Sequence, residues 1–169
     1  MKWLLIVVIV IALPILLVVV VGALLPKEHV VSRAASFPRP PETVWAVITG
    51  PPDWRPEIRS YQELPRQNGA RMWRETDKHG QTITYEATEE TLSTGAAKVQ
   101  RLTTRIADKN LPFGGTWTID VSPAPAGSSV TITERGEVYN LVFRFVSRFV
   151  MGHTATIDAY MKALQKRLA

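Results

Sequence analysis

The C-terminal stretch NLVFRFVSRFVMGHTATIDAYMKALQKRL, Asn140 to Leu168, reads as one amphipathic helix of about 29 residues, roughly 43 Å long at 1.5 Å rise per residue. On a 100° wheel, Val142, Phe145, Val146, Phe149, Val150, Ile157, Tyr160, Met161 and Leu164 fall in one arc of roughly 160°. Arg144, Arg148, Asp158, Lys162 and Lys166 face the other way. An apolar stripe that wide needs another layer to cover it. His153 lies near the middle of the arc, one turn from Phe149 and one from Ile157, so it points toward the expected core.

The covering layer is written in the preceding residues. Val31, Arg33, Ala35 and Phe37 alternate with Val30, Ser32, Ala34 and Ser36, the period of a strand. Pro38, Pro40 and Pro41 end it, and Pro41-Glu42-Thr43 opens a short helix with Val44, Trp45, Val47 and Ile48 on one face. Gly50-Pro51-Pro52 stops that helix, and Asp53 is placed to cap one further turn from Trp54 to Ile58. Strand-like runs follow at Tyr61–Leu64, Arg71–Thr76, Thr82–Thr88, Val99–Ile106, Thr116–Val121 and Val130–Arg135. Gln67-Asn68-Gly69 and Lys78-His79-Gly80 are turn signals between the first of them. The order is strand, two short helices, about six antiparallel strands and a long helix. That is an α+β fold, a curved antiparallel sheet wrapped around a C-terminal helix, with room for a cavity between them.

Ahead of this domain, Trp3 to Leu25 contains no charged or polar side chain beyond the indole, enough to cross a hydrocarbon core of about 30 Å. Pro14 inside it is tolerated in membrane spans. Lys2 with Val21-Gly22-Ala23 also fits a cleavable signal peptide, but signal cores usually run about 7–15 apolar residues and this run is longer. The expected organisation is an N-terminal transmembrane helix over 1–25, a single-pass anchor in the cell membrane, and a soluble domain over 26–169. Lys2 and the amino terminus compete with Lys27, Arg33 and Arg39, and the expected orientation puts the domain outside the cytoplasm.

Setting aside Lys2 leaves 19 of the 20 basic residues against 15 acidic ones, about +4, spread along the chain. There is no basic stripe or stacking motif, so nucleic acid is not an expected partner. The absence of cysteine excludes disulfides, thiolate chemistry and cysteine metal sites. His29, His79 and His153 are far apart in sequence, so no metal is expected, and no cofactor motif is present.

The domain resembles the SRPBCC superfamily, the helix-grip fold of START lipid-transfer domains, Bet v 1-like proteins, polyketide cyclases and coenzyme Q-binding proteins. The resemblance rests on Pro41-Glu42-Thr43-Val44-Trp45-Ala46-Val47-Ile48 after the opening strand and on Asp53-Trp54-Arg55-Pro56-Glu57-Ile58. It continues in the Thr116-Trp117-Thr118-Ile119 and Val130-Thr131-Ile132-Thr133-Glu134 strands and covers about residues 29 to 169. It implies a hydrophobic cavity under the long helix and lipid, polyketide, isoprenoid or steroid-like ligands. It carries no catalytic residue onto this chain.

Candidate cavity residues follow from strand and helix parity. Glu134 shares parity with Val130 and Ile132, and so can face His153 across the interior. Trp73 and Glu75 share one face, Tyr85 lies with Ile83 and Ala87, and Trp117 lies with Ile119. Each aromatic residue fits either a packed core or a cavity wall. Phe149 and Ile157 flank His153, and Phe113 lies in the loop Leu111-Pro112-Phe113-Gly114-Gly115, read as a plug or a lid. The expected function is a membrane-anchored domain binding a hydrophobic or lipid-like small molecule. Two alternatives stand beside it: a polyketide cyclase/dehydratase-like enzyme moving protons through His153 and Glu134, and a structural or partner-binding domain with a filled interior. No particular protein partner is indicated.

Overall fold

In the computed structural model, which describes residues 2–94 and 97–169, helix α1 (Lys2–Leu24) precedes strand β1 (Glu28–Phe37) and helix α2 (Pro41–Thr49). Six strands follow: β2 (Ile58–Gln67), β3 (Ala70–Asp77), β4 (Thr82–Thr94), β5 (Ala97–Ile106), β6 (Phe113–Ala124) and β7 (Gly127–Val138). All seven strands form one antiparallel sheet in the order β1-β7-β6-β5-β4-β3-β2. The six strand runs expected from alternation are thus present, each extended by its cross-strand pairing. Asn68 at φ 50° and Gly69 at φ 83° make the tight β2–β3 turn that Asn-Gly predicts. The curved sheet with its C-terminal helix is the helix-grip arrangement.

The C-terminal segment is not one helix. Helix α3 (Leu141–Val146) starts where the Asn140 side chain accepts the Phe143 N–H at 3.1 Å, and it continues as a π-helical turn, Ser147–Met151. Gly152, at φ 75°, then stops it, and helix α4 (Ala155–Leu168) begins afterwards. A π turn adds a residue per turn, and a left-handed φ cannot continue a right-handed helix. A single helical wheel therefore fails across this break. Ile157, Tyr160, Met161 and Leu164 on α4 are buried, whereas Phe149 and Val150 on the π turn are exposed.

The second short helix is also absent. Residues 52–57 form two successive turns, with Arg55 N–H bonded to Pro52 and Ile58 N–H to Arg55. Pro56 has no N–H and disfavours the α conformation at Arg55, so a helix cannot propagate there. Phe113, Gly114 and Gly115, expected in a loop, instead open β6 opposite Val138, Glu137 and Gly136. Gly115, at φ 134°, lets β6 approach the Arg135 carbonyl where any side chain would collide.

The interior is divided along its length. At one end Phe37, Val44, Ile48, Val121, Val130, Ile132, Met161, Leu164 and Leu168 close into a packed core. Arg39 donates to the terminal carbonyls Leu168 O at 2.9 Å and Ala169 O at 3.0 Å, tying the end of α4 to the chain between β1 and α2. Toward the other end the inward positions of β6 and β7 change from Val121, Ile119, Val130 and Ile132 to Trp117, Glu134 and Gly136. There the interior is open.

Helix α1 is long and apolar enough to cross a membrane by length and composition. Its described side chains up to Leu17 are exposed, whereas Val18, Val19, Val21, Gly22 and Leu25 are wholly or partly covered. Gly22 approaches the Leu141 carbonyl so closely that a Cβ would overlap it.

Candidate functional site

Between α4 and the sheet lies a cavity of about 500 Å³. Its walls are largely apolar and aromatic, with Trp54, Trp73, Tyr85, Leu102, Trp117 and Tyr160 prominent. Tyr160 reaches in from α4 and meets both Trp54 (ring centroids 5.0 Å apart) and Trp117 (5.7 Å) edge-on, while Trp73 stacks on Tyr85 at 5.5 Å. These contacts fix the rings without filling the space between them.

Polar groups concentrate in two places. The first is built on β3 and the turn after α2. Arg55 Nη1 donates to both Glu75 oxygens at 3.1 Å, its Nε donates to Glu57 at 2.8 Å, and the Trp73 indole donates to Glu75 at 3.0 Å. Burial opposes the Arg55 charge, but Glu75 and Glu57 outweigh it and hold the guanidinium pKa above its ordinary value. The Arg55 guanidinium also lies 5.5 Å from the Tyr160 ring centroid. Beside this cluster Arg71 donates to the Tyr61 hydroxyl at 2.8 Å and to Thr49 O at 2.6 Å. Burial pushes the Tyr85 and Tyr160 hydroxyl pKa values up, so both remain neutral donors near physiological pH.

The second polar group joins β1, β7 and the break before α4. The His29 and His153 rings stack with centroids 4.0 Å apart, and His29 Nε2 lies 3.5 Å from Glu134 Oε1. His29 sits opposite Gly136 in the β1–β7 register, and a side chain at 136 would overlap its imidazole. Burial lowers the His29 pKa. Burial, the neighbouring His29 and Arg148 all lower that of His153. Burial raises that of Glu134, offset in part by the Trp117 indole. The 3.5 Å contact is therefore no firm ion pair at neutral pH. Among the described residues Glu134 Oε2 is buried without a hydrogen-bond partner.

Of the residues singled out by sequence, His153, Glu134, Trp73, Glu75, Tyr85, Trp117 and Phe113 line the cavity. Two do not. Ile157 is fully buried in the packed core, and Phe149 turns outward because the π turn rotates it off the inner face. The expected Glu134–His153 pairing is mediated rather than direct, with His29 between them. Sequence parity missed Arg55, because an Arg in a Pro-flanked turn carries no periodic signal. It missed His29 because strand pairing, not sequence spacing, brings β1 to β7. Among the described residues no group of His, Asp and Glu is arranged to hold a metal ion.

Residues 28–169 match the family described as polyketide cyclase / dehydrase and lipid transport. No curated protein matches the chain. Among solved structures, a START superfamily protein from Mycobacterium smegmatis is 18% identical with TM-score 0.57, over 83% of this chain and 97% of that one. A Thalictrum flavum norcoclaurine synthase point mutant, in complex with a transition state analogue, is 15% identical with TM-score 0.56, over 83% and 94%. A Helicobacter pylori protein is 10% identical with TM-score 0.62, over 83% and 88%. At these identities the likeness is one of fold.

Proposed function

The chain belongs to the polyketide cyclase / dehydrase and lipid transport family, and on that premise we propose that it is a membrane-anchored binding domain for a hydrophobic or lipid-like small molecule. In this reading residues 1–25 anchor the chain and residues 26–169 hold the ligand. The observation that carries it is the cavity of about 500 Å³, walled by aromatic side chains with polar groups clustered on either side. Apolar walls with a few placed polar groups suit an amphipathic molecule: the walls supply affinity and the polar clusters fix orientation. Arg55 with Tyr85 and Tyr160 offers donors to an oxygen-rich end, and Glu134 Oε2 is an acceptor still to be satisfied.

The test is solvent extraction of the purified full chain followed by mass spectrometry, beside Thr104→Phe, which places a ring in the cavity wall. A bound apolar compound in the wild type that is depleted in the variant supports the reading. Equal recovery from both contradicts it.

A second reading is favoured by one observation, the cluster of His29, His153 and Glu134. Burial moves the imidazole and carboxyl pKa values toward one another, which favours proton exchange between such groups. Here the domain is a cyclase- or dehydratase-like enzyme with Glu134 and His153 as acid and base on a polyketide-like substrate. His153→Ala that abolishes turnover while leaving ligand binding intact supports it; unchanged turnover removes it.

A further inference from the structure

Helix α3 and its π turn present an apolar surface that none of the described residues covers. Val142 and Phe143 are 46% exposed, Phe149 60% and Val150 72%, with the exposed Arg148 among them. A soluble domain rarely leaves such a contiguous set in water. The same segment also lines the cavity, through Ser147, Gly152 and His153 and through Phe143, which lies at the edge between the two faces. This segment is thus a thin wall with the cavity on one side and an unpartnered apolar face on the other.

Its position relative to α1 identifies what covers it. Gly22 packs against Leu141 at a distance only a glycine allows. Gly22 lies three residues before Leu25, the last apolar residue of the run, so α3 meets α1 about 4.5 Å inside its apolar end. Interfacial helices bury their apolar face to about 5–10 Å at the boundary between headgroups and acyl chains. Arg148 beside Phe149 and Val150 is the type of residue that reaches from such a depth toward lipid phosphates.

We infer that α3 and its π turn are a second membrane contact, seated at the headgroup–acyl boundary of the leaflet from which α1 emerges, so that only this segment separates bilayer from cavity. The inference rests on α1 being a membrane anchor. An apolar ligand then passes between lipid and cavity around the segment, and Gly152, at φ 75° with open space around it, is the point where the segment bends.

The chain has no cysteine, so single reporter sites can be introduced into the full chain. Phe149→Cys and Val150→Cys carry an environment-sensitive fluorophore, with Ala12→Cys within α1 and Asn68→Cys in the β2–β3 turn as references. Each is reconstituted in phosphatidylcholine–phosphatidylglycerol vesicles containing lipids doxyl-labelled near the headgroup or near the chain end. The expected result is that shallow doxyl lipids quench positions 149 and 150 several-fold more than position 68, and deep doxyl lipids quench position 12 most strongly. If 149 and 150 behave like 68 while 12 is quenched, the inference is overturned and the anchor stands. If 12 also behaves like 68, the anchor reading fails and takes this inference with it.

Discussion

Replacing Glu75 by Leu isolates the energetics of the polar cluster on β3. Glu75 is 6% exposed and takes both Arg55 Nη1 contacts and the Trp73 indole hydrogen bond. At 3.1 Å and an effective dielectric of about 20, the Arg55–Glu75 attraction is about 5 kcal/mol before the desolvation of both groups is subtracted. The side chains are 19% and 7% exposed, so solvent screening is slight and the desolvation is large. Removing the carboxylate leaves a largely buried guanidinium supported only by the more exposed Glu57, at a cost of about 3–5 kcal/mol. Arg55→Met costs a similar amount by stranding Glu75. Removing both charges takes away attraction and desolvation together, so Arg55→Met/Glu75→Leu lies within about 2 kcal/mol of wild type, the remainder being mostly the unpaired Trp73 N–H. Urea unfolding of the full chain in detergent, followed by near-UV circular dichroism, measures all four corners of the cycle. Additive single-variant losses, or singles costing under about 1 kcal/mol, refute a buried coupled pair.

The stacked histidines make stability depend on pH with a defined sign. Both folded pKa values are depressed below 6.5, so their contribution is present above about pH 6.5 and is lost as pH falls through the folded values. Glu134, raised above 4.5, acts in the opposite direction: its contribution is present below about pH 4.5 and is lost as pH rises. The charged groups acting on the pair are Glu134, 3.5 Å from His29, and the exposed Arg148, whose charge lowers the His153 pKa from a distance. Unfolding free energies of wild type and His29→Gln/His153→Gln, compared at about pH 7.5 and 5.5, should show a smaller loss on acidification in the variant; equal losses refute the assignment. Gly136→Ala should displace the His29 ring, costing about 1–3 kcal/mol and altering the His29 titration seen by NMR, while an unchanged titration contradicts the packing. Leu164→Ala, at a fully buried position in the packed core, should cost about 2–5 kcal/mol in thermal unfolding, whereas Phe149→Ala should cost under about 0.5 kcal/mol.

What the sequence made legible was periodic. Strand alternation placed Trp73, Glu75, Tyr85, Trp117 and Glu134 on inward faces because a strand's parity survives every change in its partners. The same logic fails for the C-terminal segment, because no single helical wheel runs through Ser147–Met151 and Gly152. A π turn and a left-handed glycine each reset the phase, and the exposed Phe149 is the consequence. Arg55 was hidden differently, since its position depends on turns fixed by Pro52 and Pro56 and its meaning on Glu75, twenty residues away in a neighbouring strand. His29 acquires a role only through the pairing of β1 with β7 and the missing side chain at Gly136.

The proposed function stands on uptake of an apolar ligand into the space beneath α4. Titrating the full chain, in lipid nanodiscs, with a doxyl-labelled fatty acid while following tryptophan emission measures that uptake. Trp54, Trp73 and Trp117 line the cavity, so the expected result is saturable, one-to-one quenching that Thr104→Phe weakens by about tenfold. Quenching that rises linearly without saturation, or that is identical in Thr104→Phe, would contradict it.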